Sequence, residues 1–479
     1  LFMQSNGGLI EADRFQGKDC ILSGPAGGIV GAVGTSHAHG FDQIITFDMG
    51  GTSTDVAHYD GSPMGSGGGG YERSFETVVA GVRMRAPMMD IHTVAAGGGS
   101  ICHFDGTRFM VGPDSAGASP GPASYRRGGP LTVTDCNVML GKLQADFFPK
   151  VFGLGGDEPL DTAAVQQRFT DLAKEIAEKT GDKRKPVAVA AGFLRIAIDN
   201  MAHAIRQVSV QRGHDVTRYA LNSFGGAGGQ HACLVADALG IETVLLHPFA
   251  GVLSAFGMGL ADRRSLREQS VEAELNGAAA AKANDAATTL GEQARQELIE
   301  QGVAPGDISL EMRYHLKYAG TDKALPVPAG EPQQMAQAFN DIHRQQFGFT
   351  MADRALIIEM VAVEAIGDSG TEVGGGKEGA SGAPAPDPVA TVQVYTEDRY
   401  HETHVYQRDQ MVAGSQVEGP AILLEDTSTI MVEPGWRAEI RSSGAVVIKR
   451  YQARVSADAD AVSGDARPDP VLLEVFNNL

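Results

Sequence analysis

Only four cysteines occur in 479 residues, and Cys20, Cys102, Cys136 and Cys233 include no CxxC pair. That spacing gives no zinc framework and no disulfide scaffold, and it fits reduced thiols in a cytoplasmic protein. Positive charge is scarce as well. The net charge is −20 and no run of Lys or Arg exceeds the three residues Lys183-Arg184-Lys185, so a nucleic-acid partner, which needs a basic patch, is not expected. No stretch approaches the length of a membrane span and no signal peptide is visible, so no membrane partner is expected either. The acidity otherwise speaks only to solubility.

Glycine, by contrast, is abundant. Its 61 residues are about twice the usual share, and they cluster in short turns between apolar segments. The length allows two to four domains. Up to about residue 265, β-like runs alternate with helical patterns and glycine turns, which predicts an α/β architecture with helices on a mixed sheet. Ser23-Gly24-Pro25-Ala26-Gly27-Gly28 leads into a small-residue helix, and Gly65 to Gly70 forms a glycine-rich connection to the apolar run Val78 to Val82. Residues 187–212 read as the strongest helix, with Gly213 as its C-cap. Its polar exceptions Arg195, Asp199, His203 and Arg206 share one face, either a solvated stripe or the border of a cleft. Beyond 265 the pattern changes to an α+β region (266–365), a Gly/Ala/Pro-rich linker (366–388), a β-rich module (389–455) and a closing stretch (456–479) that begins with a second linker (456–470). Leu1 is not an initiator methionine and PVLLEVFNNL ends the chain without a cap, so we expect a piece of a longer polypeptide.

The most informative stretch is IITFDMGGTSTDV (44–56). It predicts a β-hairpin whose tip carries Gly50 and Gly51, the hydroxyls of Thr52, Ser53 and Thr54, and the flanking carboxylates Asp48 and Asp55. Paired glycines let a phosphate approach backbone N–H groups, and hydroxyls add donors. The carboxylates would sit where a magnesium ion or a nucleophile needs oxygen. The plainer reading is an ordinary tight turn. A strand at 219–224 runs into Gly225-Gly226-Ala227-Gly228-Gly229 and a helix. Such a turn presents amides at a helix start, although it does not fit GxGxxG and serves simple close packing equally well.

Further candidates are weaker. Asp90 and His92, two apart before Gly97-Gly98-Gly99, are either a metal or proton-transfer pair or a hydrogen-bonded structural pair. Ser115, Gly117 and Gly121 lie in a long Gly/Pro/Ser loop before LTVTD (131–135), which reads as a strand ending in another candidate cleft carboxylate, Asp135. His231, at a helix start, would border a ligand.

At MQSNGG (3–8), SGPAGG (23–28), FDMGGTSTDV (47–56), DIHTVAAGGGSI (90–101), SAGASPGPASYRRGG (115–129), LTVTDCNVMLG (131–141), RQVSVQRGHD (206–215), FGGAGGQHA (224–232) and HPFAGVLSAFGM (247–258) the chain resembles the hydantoinase A / 5-oxoprolinase family. That resemblance implies an α/β fold: an actin-like (ribonuclease-H-like) ATPase lobe with a mixed sheet and flanking helices, then a smaller C-terminal α+β/β-rich domain. It implies ATP and Mg²⁺ as cofactors, with Asp48 to Asp55 matching one phosphate hairpin and Gly225 to Gly228 the adenosine turn. The family's other phosphate hairpin has no counterpart in this chain. In these terms Asp48 is the Mg²⁺-water partner, Gly50, Gly51, Thr52, Ser53 and Thr54 cradle phosphate, Gly225, Gly226, Ala227 and Gly228 hold adenosine, and Asp55 orients the acceptor. Asp90 and His92 fall on the acceptor side. DPVLLEVFNNL (469–479) resembles the opening of a hydantoinase B-like half, which would be the partner, fused or separate. The implied chemistry is ATP-dependent opening of 5-oxo-L-proline, a small-molecule lactam, to L-glutamate by a cytoplasmic homo-oligomer. An ATP-dependent hydantoinase or ketone carboxylase is the near alternative, and a non-catalytic actin-like nucleotide-binding module the distant one.

Overall fold

The computed structural model describes residues 1–62, 70–79, 81–371, 373–374, 383–453, 471 and 474. The expected Gly65–Gly70 connection, apart from Gly70, lies outside them. So do residues 375–382 of the expected linker, the 456–470 linker, and the tail resembling a hydantoinase B-like opening, apart from Val471 and Glu474.

Alternating apolar residues in Gln43–Met49 and Thr54–Asp60 produce the expected antiparallel hairpin. Every inward residue of its first strand from Ile44 to Phe47 is buried. Ala220–Phe224 lies parallel to that strand, and Thr243–Leu246 parallel to the next. The connection between these two strands is the glycine turn and the helix Ala232–Leu239, the kind of crossover that parallel pairing requires. Among the described residues this sheet has nine strands. One side is completed by C-terminal residues, because Val446–Arg450 pairs antiparallel with Thr243–Leu246, followed by Trp436–Ile440 and Gln416–Glu418. The resulting fold is α/β and actin-like in type, with a β-rich C-terminal part.

The core helix Pro186–Val208 packs under the sheet with Phe193, Ile196, Met201 and Ile205 fully buried. Together with the short 3₁₀ turn Val210–Arg212 it is long and apolar enough to cross a membrane, contrary to the expectation of no such stretch. Here it serves as a core helix, mostly buried inside the protein. Gly213, in the left-handed region at φ 84°, caps the 3₁₀ turn, and Ser209 ends the helix itself. LTVTD is not a strand either. Thr132 is the N-cap of the helix Val133–Met139 and Asp135 its reciprocal capping partner, so a capping box has overridden the β propensity of the threonines and valine.

A second sheet, of six strands among the described residues, joins the N-terminal strands Phe2–Met3 and Leu9–Ile10 to Arg263–Glu274, Leu356–Gly367, Ile308–Tyr318 and Leu325–Pro328. The alanine-rich helix Gly277–Glu300 covers it.

The C-terminal strands are also tied in by a buried ion pair. Lys142 Nζ lies 2.5 Å from Glu433 Oε1, with side chains 2% and 3% exposed, and Glu433 Oε2 accepts from Thr396 Oγ1 at 2.8 Å. Removing one member leaves a buried charge without its partner, so Glu433→Ala is expected to cost about 3–5 kcal/mol. Urea unfolding checks this. Lys142→Met combined with Glu433→Leu should recover most of the loss.

Candidate functional site

Asp48 and Asp55 face each other across the hairpin, as register partners one step before the tip. Burial and the Asp55 charge push the Asp48 carboxyl up to about 6. Asp55 is held from its other side by Thr93 Oγ1, which donates to its Oδ1 at 2.6 Å. Two opposed carboxylates, one of them disfavouring its own ionisation, form a place where a divalent cation fits.

The tip is braced from behind by Gly97-Gly98-Gly99. Gly98 N–H donates to the Gly50 carbonyl at 3.1 Å and Gly99 N–H to the Gly51 carbonyl at 2.6 Å. In a trans peptide the C=O and the following N–H point in opposite directions. Tying these carbonyls back therefore aims the N–H groups of Gly51 and Thr52 outward, where both residues are exposed. A Cβ on Gly51 would meet nothing within 4 Å. That is a cradle with room for an anion. Gly50 plays a different part, since its own N–H is taken by the Ser53 carbonyl at 3.1 Å. Thr54 is buried and donates its hydroxyl to the Ala96 carbonyl at 2.5 Å, so it anchors the tip and does not face a ligand. Thr52 and Ser53 stay accessible.

The glycine turn meets the hairpin directly. Gly225 has φ +79°, and a Cβ there would lie 2.4 Å from the Met49 carbonyl oxygen and 2.5 Å from Asp48 Oδ1. Only glycine combines that backbone with that approach. Ala227 N–H donates to the Met49 carbonyl at 3.1 Å. Gly226 is exposed and Gly228 buried, and residues 427–430 of the C-terminal part pack over the turn. Sequence positions 48–55 and 225–228 thus converge on one place.

Other expected positions resolve differently. Asp135 is fully buried and accepts from the N–H groups of Ala123, Ser124 and Thr132 and from the Thr132 hydroxyl, all at 2.8–3.0 Å. It is a structural cap and not a cleft carboxylate. His231 is likewise buried, between the Ala227 carbonyl and Asn137, and burial lowers it to about 4. Ser115 supports the triple-glycine loop by donating to the Gly99 carbonyl at 3.3 Å, and Gly117 N–H returns to Ser115 Oγ. His92 pairs with Val56 on the strand beside the hairpin. Asp90 is engaged by Arg212 Nη1 at 2.7 Å.

Asp90 borders a feature that no sequence spacing announced. A cavity of about 1040 Å³ opens at the far end of the strand Thr54–Asp60, lined among others by His58, Asp60, Glu72, Asp90, Arg212 and His214. His58 lies three residues along the strand from Asp55, about 10 Å away. Glu72 would be raised by burial, but His58, Arg212 and His214 hold it below the usual carboxylate range. Burial and the neighbouring His58 lower His214 to about 4.

With this geometry established, similarity to known proteins becomes informative. Residues 1–267 match the hydantoinase/oxoprolinase family model, and residues 368–444 match the hydantoinase/oxoprolinase C-terminal domain. The chain is similar to the 5-oxoprolinase of Saccharomyces cerevisiae, with 38% identity over 492 residues covering 100% of this chain and 37% of that protein. It is similar to 5-oxoprolinase 1 of Arabidopsis thaliana, with 39% identity over 491 residues covering 100% and 38%. Among solved structures it resembles the ATP-dependent caprolactamase of Pseudomonas jessenii, with a TM-score of 0.82 and 28% identity over 94% of this chain and 65% of that one. The chain therefore spans little more than a third of the two curated relatives.

Proposed function

Since the chain belongs to the hydantoinase/oxoprolinase family, we propose that it supplies the nucleotide-binding, phosphorylating half of an enzyme that opens 5-oxo-L-proline to L-glutamate at the expense of ATP. The observation carrying this reading is the tied-back hairpin tip, with its outward N–H groups between opposed carboxylates. A lactam is a resonance-stabilised amide and a poor electrophile, and ATP with Mg²⁺ would supply the phosphoryl group that activates its carbonyl. This chain's residues bind and orient. The N–H groups of Gly51 and Thr52, with the Thr52 and Ser53 hydroxyls, receive phosphate oxygens. Asp48 and Asp55 take the cation's positive charge, Asp48 through a water, and Asp55 also orients the acceptor. Gly225 to Gly228 carry the adenosine. Positioning and charge neutralisation of this kind account for most phosphoryl-transfer catalysis.

Asp90, which lines the cavity, and His92 belong to the acceptor side. A hydantoinase B-like half is the partner that completes ring hydrolysis, and the cytoplasm is the compartment. Residues 1–265 form the ATPase lobe, 266–365 an α+β region and 389–455 the β-rich module, although strands of the last extend the lobe's sheet. The test is 5-oxoproline-dependent ADP release by the full natural polypeptide with its partner half. No release by the wild type, or release undiminished in Asp48→Ala, rejects the assignment. Turnover of a ketone that requires bicarbonate would move it to the carboxylase branch.

A further inference from the structure

His58, Glu72 and His214 come from three separate segments, yet each offers one ligand atom to a common point, all within 4.8 Å of one another. His58 Nδ1 lies 2.7 Å from Glu72 Oε1, and His214 Nε2 lies 3.9 Å from the same oxygen. The two imidazole rings lie 3.9 Å apart at 31°.

The outer atoms decide what this cluster is for. Tyr219 Oη donates to Asp60 Oδ2 at 3.1 Å, which leaves its oxygen to accept from His58 Nε2–H at 2.8 Å. A neutral His58 then presents the Nδ1 lone pair to a carboxylate oxygen. In that tautomer two lone pairs lie 2.7 Å apart, and a shared proton or metal ion joins the two groups. The far oxygen of Glu72 is fixed by Arg212 Nη1 at 2.6 Å, and Arg212 is fixed in turn by Asp90. Anchored outer atoms of this kind are what orient metal ligands. Three carboxylates, Asp60, Glu72 and Asp90, against one guanidinium leave two negative charges around the point where the ligands converge.

We propose that His58, Glu72 and His214 bind one first-row divalent cation of the zinc type, with its fourth position open to the cavity. Two imidazole nitrogens select such a metal over magnesium or calcium. A tetrahedral zinc with bonds of 2.0–2.2 Å sets its ligand atoms about 3.3 Å apart, between the two separations found here. All three ligand atoms lie within 4.8 Å of one another, so closing on the ion needs side-chain shifts of about an ångström. Two histidines, one glutamate and an open position form the pattern of zinc sites that hold a water or a substrate oxygen. The site is independent of the phosphate-hairpin reading, because its test needs neither nucleotide nor turnover.

The full protein, stripped of metal, is titrated with Co²⁺ and then with Zn²⁺. The expected result is a visible absorption band of tetrahedral cobalt that saturates at one equivalent and is displaced by one equivalent of Zn²⁺. His214→Gln, on the cavity side, should abolish the band. Tyr219→Phe should keep the stoichiometry and weaken affinity about 10- to 100-fold, through the lost anchor on His58. Circular dichroism reports whether each variant is folded. Absence of saturable binding overturns the proposal and leaves a protonated ion pair, and so does an unchanged band in folded His214→Gln. Should His214→Gln fail to fold, Tyr219→Phe decides, and unaltered affinity in that variant rejects the site.

Discussion

Replacing Asp48 by Asn should stabilise the free protein at pH 8 while lowering nucleotide-dependent turnover of the full natural polypeptide by about 100-fold or more. Both effects have one cause. Asp48 sits half-buried against Asp55, and its carboxyl is raised from 3.8 to about 6. A group that binds its proton more tightly in the folded state favours folding when protonated. That contribution is complete below about pH 4 and is lost as pH rises through about 6. Above pH 6 the ionised carboxylate is carried at a cost of about 3 kcal/mol, at 1.36 kcal/mol per pH unit. Asn keeps the shape without the charge. The variant's advantage in urea unfolding should therefore be full at pH 8 and vanish near pH 4. A wild type and variant that differ equally at both pH values would mean that Asp48 carries no such strain. The stability given up by the wild type is what a cation at the hairpin returns, a trade-off between stability and activity common at functional sites.

The parts of this site that were legible in the sequence are the local ones. A hairpin is specified by two alternating runs and the turn between them, and Gly225 to Gly228 by a strand, a glycine cluster and a helix in succession. Individual atoms were less legible. Thr54 stands in the same run of hydroxyls as Thr52 and Ser53, yet strand alternation turns it inward to the Ala96 carbonyl. Asp135 and His231 have the chemistry of cleft residues, but they satisfy buried backbone and amide groups. LTVTD misleads because β-branched residues favour a strand on propensity, whereas Thr132 and Asp135 at the right spacing start a helix. The cluster of His58, Glu72 and His214 had no sequence signal, since its members meet only through tertiary packing. The same holds for the pairing of Val446–Arg450 with Thr243–Leu246, an edge that neither segment announces alone.

Gly97→Ala should disable the proposed nucleotide site without altering any residue assigned to ligand contact. A Cβ on Gly97 would lie 2.7 Å from both the Gly51 carbonyl oxygen and the Ser53 nitrogen. These are backbone atoms with no rotamer to yield, so the hairpin tip must move away from the loop behind it. That movement stretches the bonds from Gly98 and Gly99 to the Gly50 and Gly51 carbonyls and turns the outward N–H groups off their line. A displacement of about 1 Å costs roughly 100-fold where geometry carries the catalysis. Nucleotide affinity of the full natural polypeptide, measured by calorimetry, should fall by that order. Gly17→Ala is the matched control, because a Cβ there meets nothing within 4 Å, and it should bind as the wild type does. Undiminished binding in Gly97→Ala would mean that the tip's amides are not the phosphate donors. The cradle would then have to be sought in the hydroxyls of Thr52 and Ser53 alone. A loss confined to Gly97→Ala would place the specificity of the site in backbone direction, which explains why three consecutive glycines stand behind a turn that already has two of its own.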